Sequence, residues 1–163
     1  MIKMARKVFF SFDYDDVWRV NVVRNSDVTK KSAEVAGFID KAKFEEVKKK
    51  GADAIRKWID QQMEGTSVTV VLIGANTSES EWVKYEIKKS IDRGNGLMGV
   101  YIHNIEDEHG KTGVKGQDPF AMLGYNKEIK TYDWINDKGY DNFGHWIEAA
   151  YQQAQLRKNR PIC

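Results

Sequence analysis

The amino-acid sequence predicts a doubly wound α/β fold, with a parallel sheet of about five strands in the order 2-1-3-4-5. Short apolar segments alternate along the chain with longer segments of helical periodicity, which is the pattern of strands joined by helices. The segment Val68–Ile73 is the clearest strand, and its apolar character is typical of a parallel strand covered on both faces. The length of 163 residues suits a single domain spanning residues 1–163.

Two strands and two helices are predicted before Val68. The apolar run Lys7–Ser11 predicts strand one. The segment Asp15–Asn25 fits both strand and helix periodicity, and we interpret it as a helix because the acidic residues at its start favour one. Ala36–Asp40 predicts strand two. The next helix is predicted from apolar residues at helical spacing, which are Ala52, Ile55, Ile59 and Met63, with Gly65 as a stop.

The third strand leads through a short polar turn into another helix. We expect this helix to begin at Ser78, because Ser78 and Glu81 have the spacing of a capping box. Its predicted core stripe consists of Val83, Ile87 and Ile91, which recur at helical spacing.

The last part of the chain alternates in the same way but contains one long insertion. Leu97–Ile102 predicts strand four, Ile129–Trp134 strand five, and Asn142–Leu156 the final helix. Between the last two strands, residues 104–126 are polar and rich in glycine, so we expect a long loop there. A loop of this length is usually functional or mobile.

Composition and charge argue against several classes of function. The chain has 26 Lys and Arg against 24 Asp and Glu, which disfavours a large non-specific contact with nucleic acid or an anionic membrane. Cys163 is the one cysteine, so neither an intrachain disulfide nor a cysteine-rich metal site is expected. No segment resembles a signal peptide or has the ~20 apolar residues of a membrane span. We therefore expect a cytoplasmic protein without nucleic-acid or membrane partners.

Two glycine-containing motifs resemble phosphate-binding loops but lack the required context. Gly94-Asn-Gly96-Leu-Met-Gly99 matches G-x-G-x-x-G, yet it follows a predicted helix and precedes a predicted strand, the reverse of a dinucleotide-binding loop. We interpret it as a helix C-cap plus loop. Gly110-Lys-Thr112 lacks the upstream glycine of a P-loop. The three histidines have no spacing that suggests a metal site, so no metal is expected.

The acidic residues after strand one invite comparison with a phospho-receiver domain. Such a domain binds magnesium through paired carboxylates at this position, here Asp13, Asp15 and Asp16. It also needs an aspartate at the end of strand three, whereas this strand ends in Gly74-Ala-Asn76. The fifth strand lacks a terminal lysine as well. The sequence therefore disfavours a receiver domain.

Glu86 is the candidate catalytic residue. It follows Trp82 by four residues, so the two share a helical face, and it falls at the border of the predicted core stripe. Partial desolvation beside an aromatic ring would raise the pKa of such a carboxyl group. A surface glutamate paired with Lys89 or Ser90 is the alternative. Phe12, at the carboxyl end of strand one, is either a ring for stacking on a base or pyridine, or a core residue.

Four segments resemble the TIR-like domains of bacterial Thoeris anti-phage defence. They are Lys7 to Asp16, Arg24-Asn25, Thr66-Ser-Val-Thr-Val-Val-Leu-Ile-Gly74 and Trp82-Val-Lys-Tyr-Glu-Ile87. The last is the most specific of the four, and the likeness covers about residues 6–150.

The resemblance implies a flavodoxin-like TIR fold and cleavage of NAD+ at the nicotinamide–ribose bond. It also implies a cyclic ADP-ribose-type signal that activates a partner effector, with self-association of the enzyme and with NAD+ as substrate rather than cofactor. It places the catalytic carboxylate at Glu86. The expected substrate-binding residues are Phe12, Asp13, Arg24, Asn25, Asn76 and Trp82.

Two other interpretations stay open at this point. A non-catalytic TIR module would assemble with other TIR domains without any need for Glu86. A deoxyribosyltransferase-like relative would perform the same N-glycosidic chemistry on free nucleosides.

Overall fold

The structure, a computed structural model, describes residues 5–37, 40–125 and 128–159. Five parallel strands form one sheet in the order β2-β1-β3-β4-β5, which confirms the predicted fold class and strand order. The strands are β1 (Arg6–Phe12), β2 (Ala33–Gly37), β3 (Val68–Ile73), β4 (Gly96–Tyr101) and β5 (Lys130–Asp133). The helices are α1 (Val17–Arg24), α2 (Asp27–Ser32), α3 (Lys41–Lys48), α4 (Ala52–Met63), α5 (Glu81–Arg93), α6 (Pro119–Met122) and α7 (Gly139–Lys158).

Helices cover both faces of the sheet, and β1 shows how the two faces differ. Successive strand residues point to opposite faces. Phe10 meets Phe143 of α7, with ring centroids 6.2 Å apart. The next residue, Ser11, points the other way and contacts Glu86 of α5. Because both faces are covered, every residue of β3 is buried.

Strand β2 begins earlier than predicted. It starts at Ala33, which pairs with Arg6 of β1, instead of at Ala36. Phe38 and Ile39, within the predicted strand, lie outside the described residues. The bounds of β2 are set by its pairing with β1, and the residues of β2 alone do not reveal that pairing. Asp40 is not a strand residue either, because its side chain accepts from the Lys43 amide and caps α3.

The start of α5 corrects a second prediction. Ser80, not Ser78, is its N-cap, and the Ser80 hydroxyl accepts from the Val83 amide at 3.3 Å. Ser78 is buried in a 3-10 turn, Thr77–Glu79, that follows β3. This turn is fixed from within, since the Thr77 hydroxyl accepts from the Gly74 amide at 2.7 Å. Ser80, the first residue after this turn, is therefore the N-cap of α5.

The glycines of the G-x-G-x-x-G match behave as predicted at the helix end. Gly94 ends α5 in the left-handed conformation, with φ of 77°, which suits a residue without Cβ. Gly96 and Gly99 belong to β4. The motif is thus a helix C-cap followed directly by a strand.

The predicted long loop spans most of residues 104–126 and contains the short helix α6. It is fastened to α1 by Arg19, whose Nε donates to the Ile105 carbonyl at 2.7 Å and whose Nη2 donates to the Lys111 carbonyl at 3.0 Å. Further along, Gly116 approaches the Gly74 carbonyl so closely that a Cβ would not fit. The loop consequently covers the carboxyl end of β3. In the described part of the chain, no helix has both the length and the apolar character of a membrane span.

Candidate active site

An open cavity of about 290 Å³ lies where β1 ends, and we call it the Phe12 cavity. Doubly wound sheets bind their ligands at this edge, outside the carboxyl ends of the strands. The end of β1 and the following turn form one wall, α3 forms another, and the start of α5 closes the third side. The lining residues are Phe12, Asp13, Tyr14, Asp15, Lys41, Phe44, Glu45, Lys48, Ser80 and Trp82.

Aromatic rings form a continuous row along this cavity. The Phe12 and Tyr14 rings lie 6.0 Å apart, and Tyr14 stacks on Phe44 at 5.8 Å with an interplanar angle of 3°. Phe44 in turn stacks on Trp58 of α4. Burial, together with the nearby carboxylates of Asp40 and Glu45, raises the pKa of the Tyr14 phenol, so it stays neutral. The row offers ring faces on which a flat heterocycle can stack.

Glu86 is completely buried, at 0 % exposed, so the predicted border position is wrong. Its Oε1 accepts a hydrogen bond from the Ser11 hydroxyl at 2.7 Å, and its Oε2 has no partner among the described residues. Burial raises the pKa of the Glu86 carboxyl well above its usual range, and the Ser11 hydrogen bond opposes that rise. Helical spacing alone placed Glu86 at the edge of the stripe, whereas β1 covers that edge.

The alternative of a surface ion pair is also wrong. Lys89 lies 3.8 Å from Asp60 of α4 and not beside Glu86. The Ser90 hydroxyl donates to the main-chain carbonyl of Glu86 at 2.7 Å, which is an ordinary contact within α5. The carboxylate of Glu86 thus faces the sheet.

Glu86 and its partner Ser11 are close in sequence to two residues that line the Phe12 cavity. Trp82, one helical turn before Glu86, lines the cavity, and so does Phe12, the strand neighbour of Ser11. Glu86 itself is not a lining residue.

The structure brings together only part of the predicted substrate-binding set. Phe12, Asp13 and Trp82 line the Phe12 cavity. Asn76 is exposed in the turn after β3 and does not line it. Arg24 and Asn25 lie at the far end of α1 and line a different depression, next to Ala33. Helix α1 has by then run back to the amino ends of the strands, because Ala33 pairs with the first residue of β1.

The chain is similar in sequence to proteins of a known family. The family model described as "Thoeris protein ThsB, TIR-like domain" matches residues 9–107. The chain is 44% identical over 142 residues to a Bacillus cereus (strain MSX-D12) protein named "Putative cyclic ADP-D-ribose synthase ThsB1". That alignment covers 83% of this chain and 74% of the relative.

The chain belongs to the Thoeris ThsB family of TIR-like domains. The resemblance predicted from the sequence is therefore confirmed. The matched range begins within β1 and continues past β4, so it contains all of α5, the lining residues of the Phe12 cavity and Glu86.

Asp16 lies near the Phe12 cavity but is not among the predicted substrate-binding residues. Burial and repulsion from Asp13 raise the pKa of its carboxyl group to about 6, although Arg19 works in the opposite direction. The carboxylate fills the space beside Gly74, where any Cβ would collide with it. Asp16 thus joins the ends of β1 and β3 next to the cavity. In the sequence it was one of three similar aspartates, with no local signal to distinguish it.

Ser11 and α3 were missed for different reasons. Ser11 carried a weak signal, as a polar residue in an otherwise apolar run. Helix α3 was not predicted, and its Phe44 lines the cavity between the rings of Tyr14 and Trp58, which come from distant parts of the chain. Within the described ranges, no group of three or more His, Cys, Asp or Glu side chains is arranged to hold a metal ion.

Proposed function

We propose that this protein cleaves NAD+ at the nicotinamide–ribose bond and converts it to a cyclic ADP-ribose-type signal, with Glu86 as the catalytic carboxylate. The observation that carries the proposal is the buried carboxylate of Glu86, one helical turn after Trp82, which lines an aromatic cavity at the carboxyl end of β1. The name of the 44% identical relative, a cyclic ADP-D-ribose synthase, supports the same reaction.

The bond that breaks joins the ribose C1′ to the pyridinium nitrogen. Its electron pair leaves with nicotinamide, which becomes neutral, and C1′ becomes an oxocarbenium-like cation. An adenine nitrogen or a ribose hydroxyl of the same molecule then bonds to C1′. When the acceptor is a hydroxyl, its proton passes to water. Water as acceptor would instead give ADP-ribose, so a site that excludes water favours cyclisation.

Glu86 would act in its ionised form, stabilising the cation at C1′ or binding the ribose hydroxyls. Without substrate, burial favours the neutral carboxyl group, since its pKa is raised. The positive pyridinium ring reverses this balance, because a nearby opposite charge favours the ionised form of a carboxyl group. Substrate binding would thus generate the catalytic charge.

The Phe12 cavity would hold the nicotinamide–ribose half of the substrate. Its volume is close to the lower end of the ~300–1,000 Å³ range of ligand sites, so the rest of a dinucleotide would extend outside. Phe12 and Trp82 supply apolar ring surface, and Asp13 supplies a carboxylate at the mouth. Lys41 and Lys48 of α3 line the same mouth and suit a pyrophosphate.

The substrate-binding roles of Arg24, Asn25 and Asn76 stay predictions, since these residues lie outside the cavity of one chain. Activation of a partner effector by the product, in anti-phage defence, is supported by membership of the Thoeris family. Self-association likewise stays a prediction.

A second candidate function is a non-catalytic TIR module. The observation that favours it is the complete burial of Glu86, which leaves the carboxylate closed off from the cavity. In this case the neutral Glu86 would serve as a core residue hydrogen-bonded to Ser11.

The first test compares the wild-type protein with Glu86→Gln and the matched control Glu81→Gln. Glu81 is an exposed glutamate of the same helix, 3.5 Å from Lys84. Each concentrated protein is incubated with NAD+, and the products are followed by liquid chromatography and mass spectrometry. We expect nicotinamide and a species isobaric with cyclic ADP-ribose from the wild type and from Glu81→Gln. Glu86→Gln should be slower by about 100-fold or more, because it cannot carry the negative charge.

Two results would contradict parts of the proposal. If the wild type leaves NAD+ intact at high protein concentration, the interaction module becomes the better interpretation. If Glu86→Gln is as active as the wild type, cleavage stands but the role of Glu86 does not. Thermal unfolding provides the folding control. Glu86→Gln should be at least as stable as the wild type at neutral pH, because the wild-type carboxyl group is ionised in the unfolded state and its raised pKa makes folding at that pH unfavourable for this group, whereas glutamine does not ionise.

A further inference from the structure

Ser11 and Glu86 form a hydrogen bond between two completely buried side chains that are far apart in sequence. The Ser11 Oγ donates to Glu86 Oε1 at 2.7 Å, and both residues are 0 % exposed. Ser11 is part of β1 and Glu86 of α5, so the bond joins the sheet to the helix. The carboxylate therefore has one oxygen fixed by the protein and one, Oε2, with no described partner.

A second buried hydroxyl contact between the sheet and α5 provides a comparison for the Ser11–Glu86 hydrogen bond. Thr69 of β3 contacts Ser90 of α5, with the two hydroxyl oxygens 2.7 Å apart. Both contacts hold α5 on the sheet, but only the Ser11 hydroxyl meets a carboxylate. Helix packing alone would be satisfied by a contact of the Thr69–Ser90 type.

We propose that Ser11 is a positioning residue for the reaction: it holds Oε1 of Glu86 and so turns Oε2 toward the substrate. This inference rests on the proposed function of Glu86. Phe12, the next residue of β1, lines the cavity, so one rigid strand carries both the cavity wall and the group that orients the carboxylate. A strand holds such a group more firmly than a loop would.

The hydrogen bond also affects how readily Glu86 ionises. A donor to a carboxylate stabilises its charged form and lowers the pKa, here against the effect of burial. Removal of the hydroxyl would raise the pKa of Glu86 further. At a given pH, fewer molecules would then carry the ionised carboxylate.

The test compares Ser11→Ala and Ser11→Thr with the matched control Ser90→Ala, using the pH dependence of kcat for NAD+ consumption. Ser90→Ala removes a buried hydroxyl from the same helix without touching the Glu86 carboxylate. In Ser11→Ala we expect the acid limb to move upward by about one pH unit, with kcat about tenfold lower on that limb and little change in KM. Ser11→Thr keeps the hydroxyl and should keep the acid limb of the wild type.

Ser90→Ala should lower the thermal midpoint and leave the acid limb in place. A purely structural role for Ser11 predicts that Ser11→Ala behaves in the same way. An unchanged acid limb in Ser11→Ala, or an equal shift in Ser90→Ala, would overturn the proposal.

A direct titration separates this proposal from the proposed function. The carboxyl carbon of Glu86, assigned by its loss in Glu86→Gln, is followed by carbon-13 NMR against pH in the absence of substrate. A higher pKa in Ser11→Ala than in the wild type supports the inference even if no NAD+ cleavage is found. The same pKa in both, in a protein that cleaves NAD+, would refute the role of Ser11 and leave that of Glu86 intact.

Discussion

Glu86 and Asp16 are two carboxyl groups near the same edge of the sheet, and both have a raised pKa for different reasons. Glu86 is fully enclosed, and burial alone acts against its charge. Asp16 is partly exposed, and repulsion from Asp13 and Asp15 adds to its burial. An isolated buried carboxylate responds strongly to an incoming cation, whereas a carboxylate among other charges is buffered by them. In the proposed function, Glu86 is therefore the carboxyl group whose ionisation the pyridinium of NAD+ would favour.

The Asp16 carboxyl should make the stability of the protein depend on pH. Its pKa is about 6 in the folded state against about 3.9 when unfolded, so the folded state binds the proton more tightly. Stability is therefore lost as pH rises from about 4 to about 6. Asp16→Asn cannot ionise and should be more stable than the wild type above about pH 6, by about 1–2 kcal/mol after allowance for solvent screening.

Thermal unfolding at a series of pH values measures this difference. The gain of Asp16→Asn should vanish below about pH 4, where the wild-type group is protonated in both states. Asp92→Asn, the same substitution at an exposed position of α5, provides the comparison. A gain that is constant from pH 4 to pH 7 would show that Asp16 does not titrate as described.

At the scale of elements, the long loop after β4 is an ordered cover and not a free segment. Its chain folds back on itself where the Gly113 amide donates to the His103 carbonyl at 2.7 Å. Arg19 connects it to α1 by two hydrogen bonds and lies 4.0 Å from Asp107. By covering the end of β3, the loop leaves the Phe12 cavity as the opening beside β1.

Arg19→Ala should release this loop while the sheet stays folded. The variant loses two hydrogen bonds from a charged donor, and we expect a cost of about 1–3 kcal/mol. Hydrogen exchange at the Gly113 amide should become faster, and exchange in β3 should not change. Arg56→Ala is the matched control, since Arg56 makes an exposed pair with Asp53. Equal exchange rates at the Gly113 amide in the wild type and in Arg19→Ala would mean that the hydrogen bonds of Arg19 do not hold the loop in place.

At the scale of the whole molecule, the distance between the helix layers and the sheet is set in part by glycines of β4. Gly96 faces α7, and a Cβ there would collide with the main-chain carbonyl of Ala150. Gly99 faces the other side, where the three atoms nearest to a Cβ would belong to the side chains of Ile73, Phe120 and Thr131. Both glycines come from the G-x-G-x-x-G match, so packing explains residues that resembled a nucleotide motif.

Gly96→Ala should therefore destabilise the protein more than Gly99→Ala. A helix backbone cannot move without separating α7 from the sheet, whereas side-chain ends can shift. We expect a cost of about 2–3 kcal/mol or more for Gly96→Ala and a smaller cost for Gly99→Ala. Urea unfolding of the two variants measures the difference. Equal midpoints would mean that α7 adjusts as easily as the side chains do.

The sequence by itself predicted the α/β class and the strand order, and the structure confirms both. It also offered Glu86 as the candidate catalytic residue, which stays a prediction. Hydrophobic periodicity distinguishes strands from helices, and Gly94 marks the end of α5 through its own backbone preference. The identification of Glu86 as candidate used its spacing from Trp82 and the resemblance of the surrounding segment. Membership of the family confirms that resemblance.

Only the tertiary structure decided how these residues are arranged. The start of β2 follows from pairing with β1, and the burial of Glu86 follows from a strand 75 residues away in sequence. The family resemblance placed Arg24 and Asn25 among the substrate-binding residues. In the structure they lie away from the Phe12 cavity, because α1 runs back to the opposite edge of the sheet. Burial and the pKa shifts that follow from it are properties of contacts between distant segments, and periodicity within one segment does not contain them.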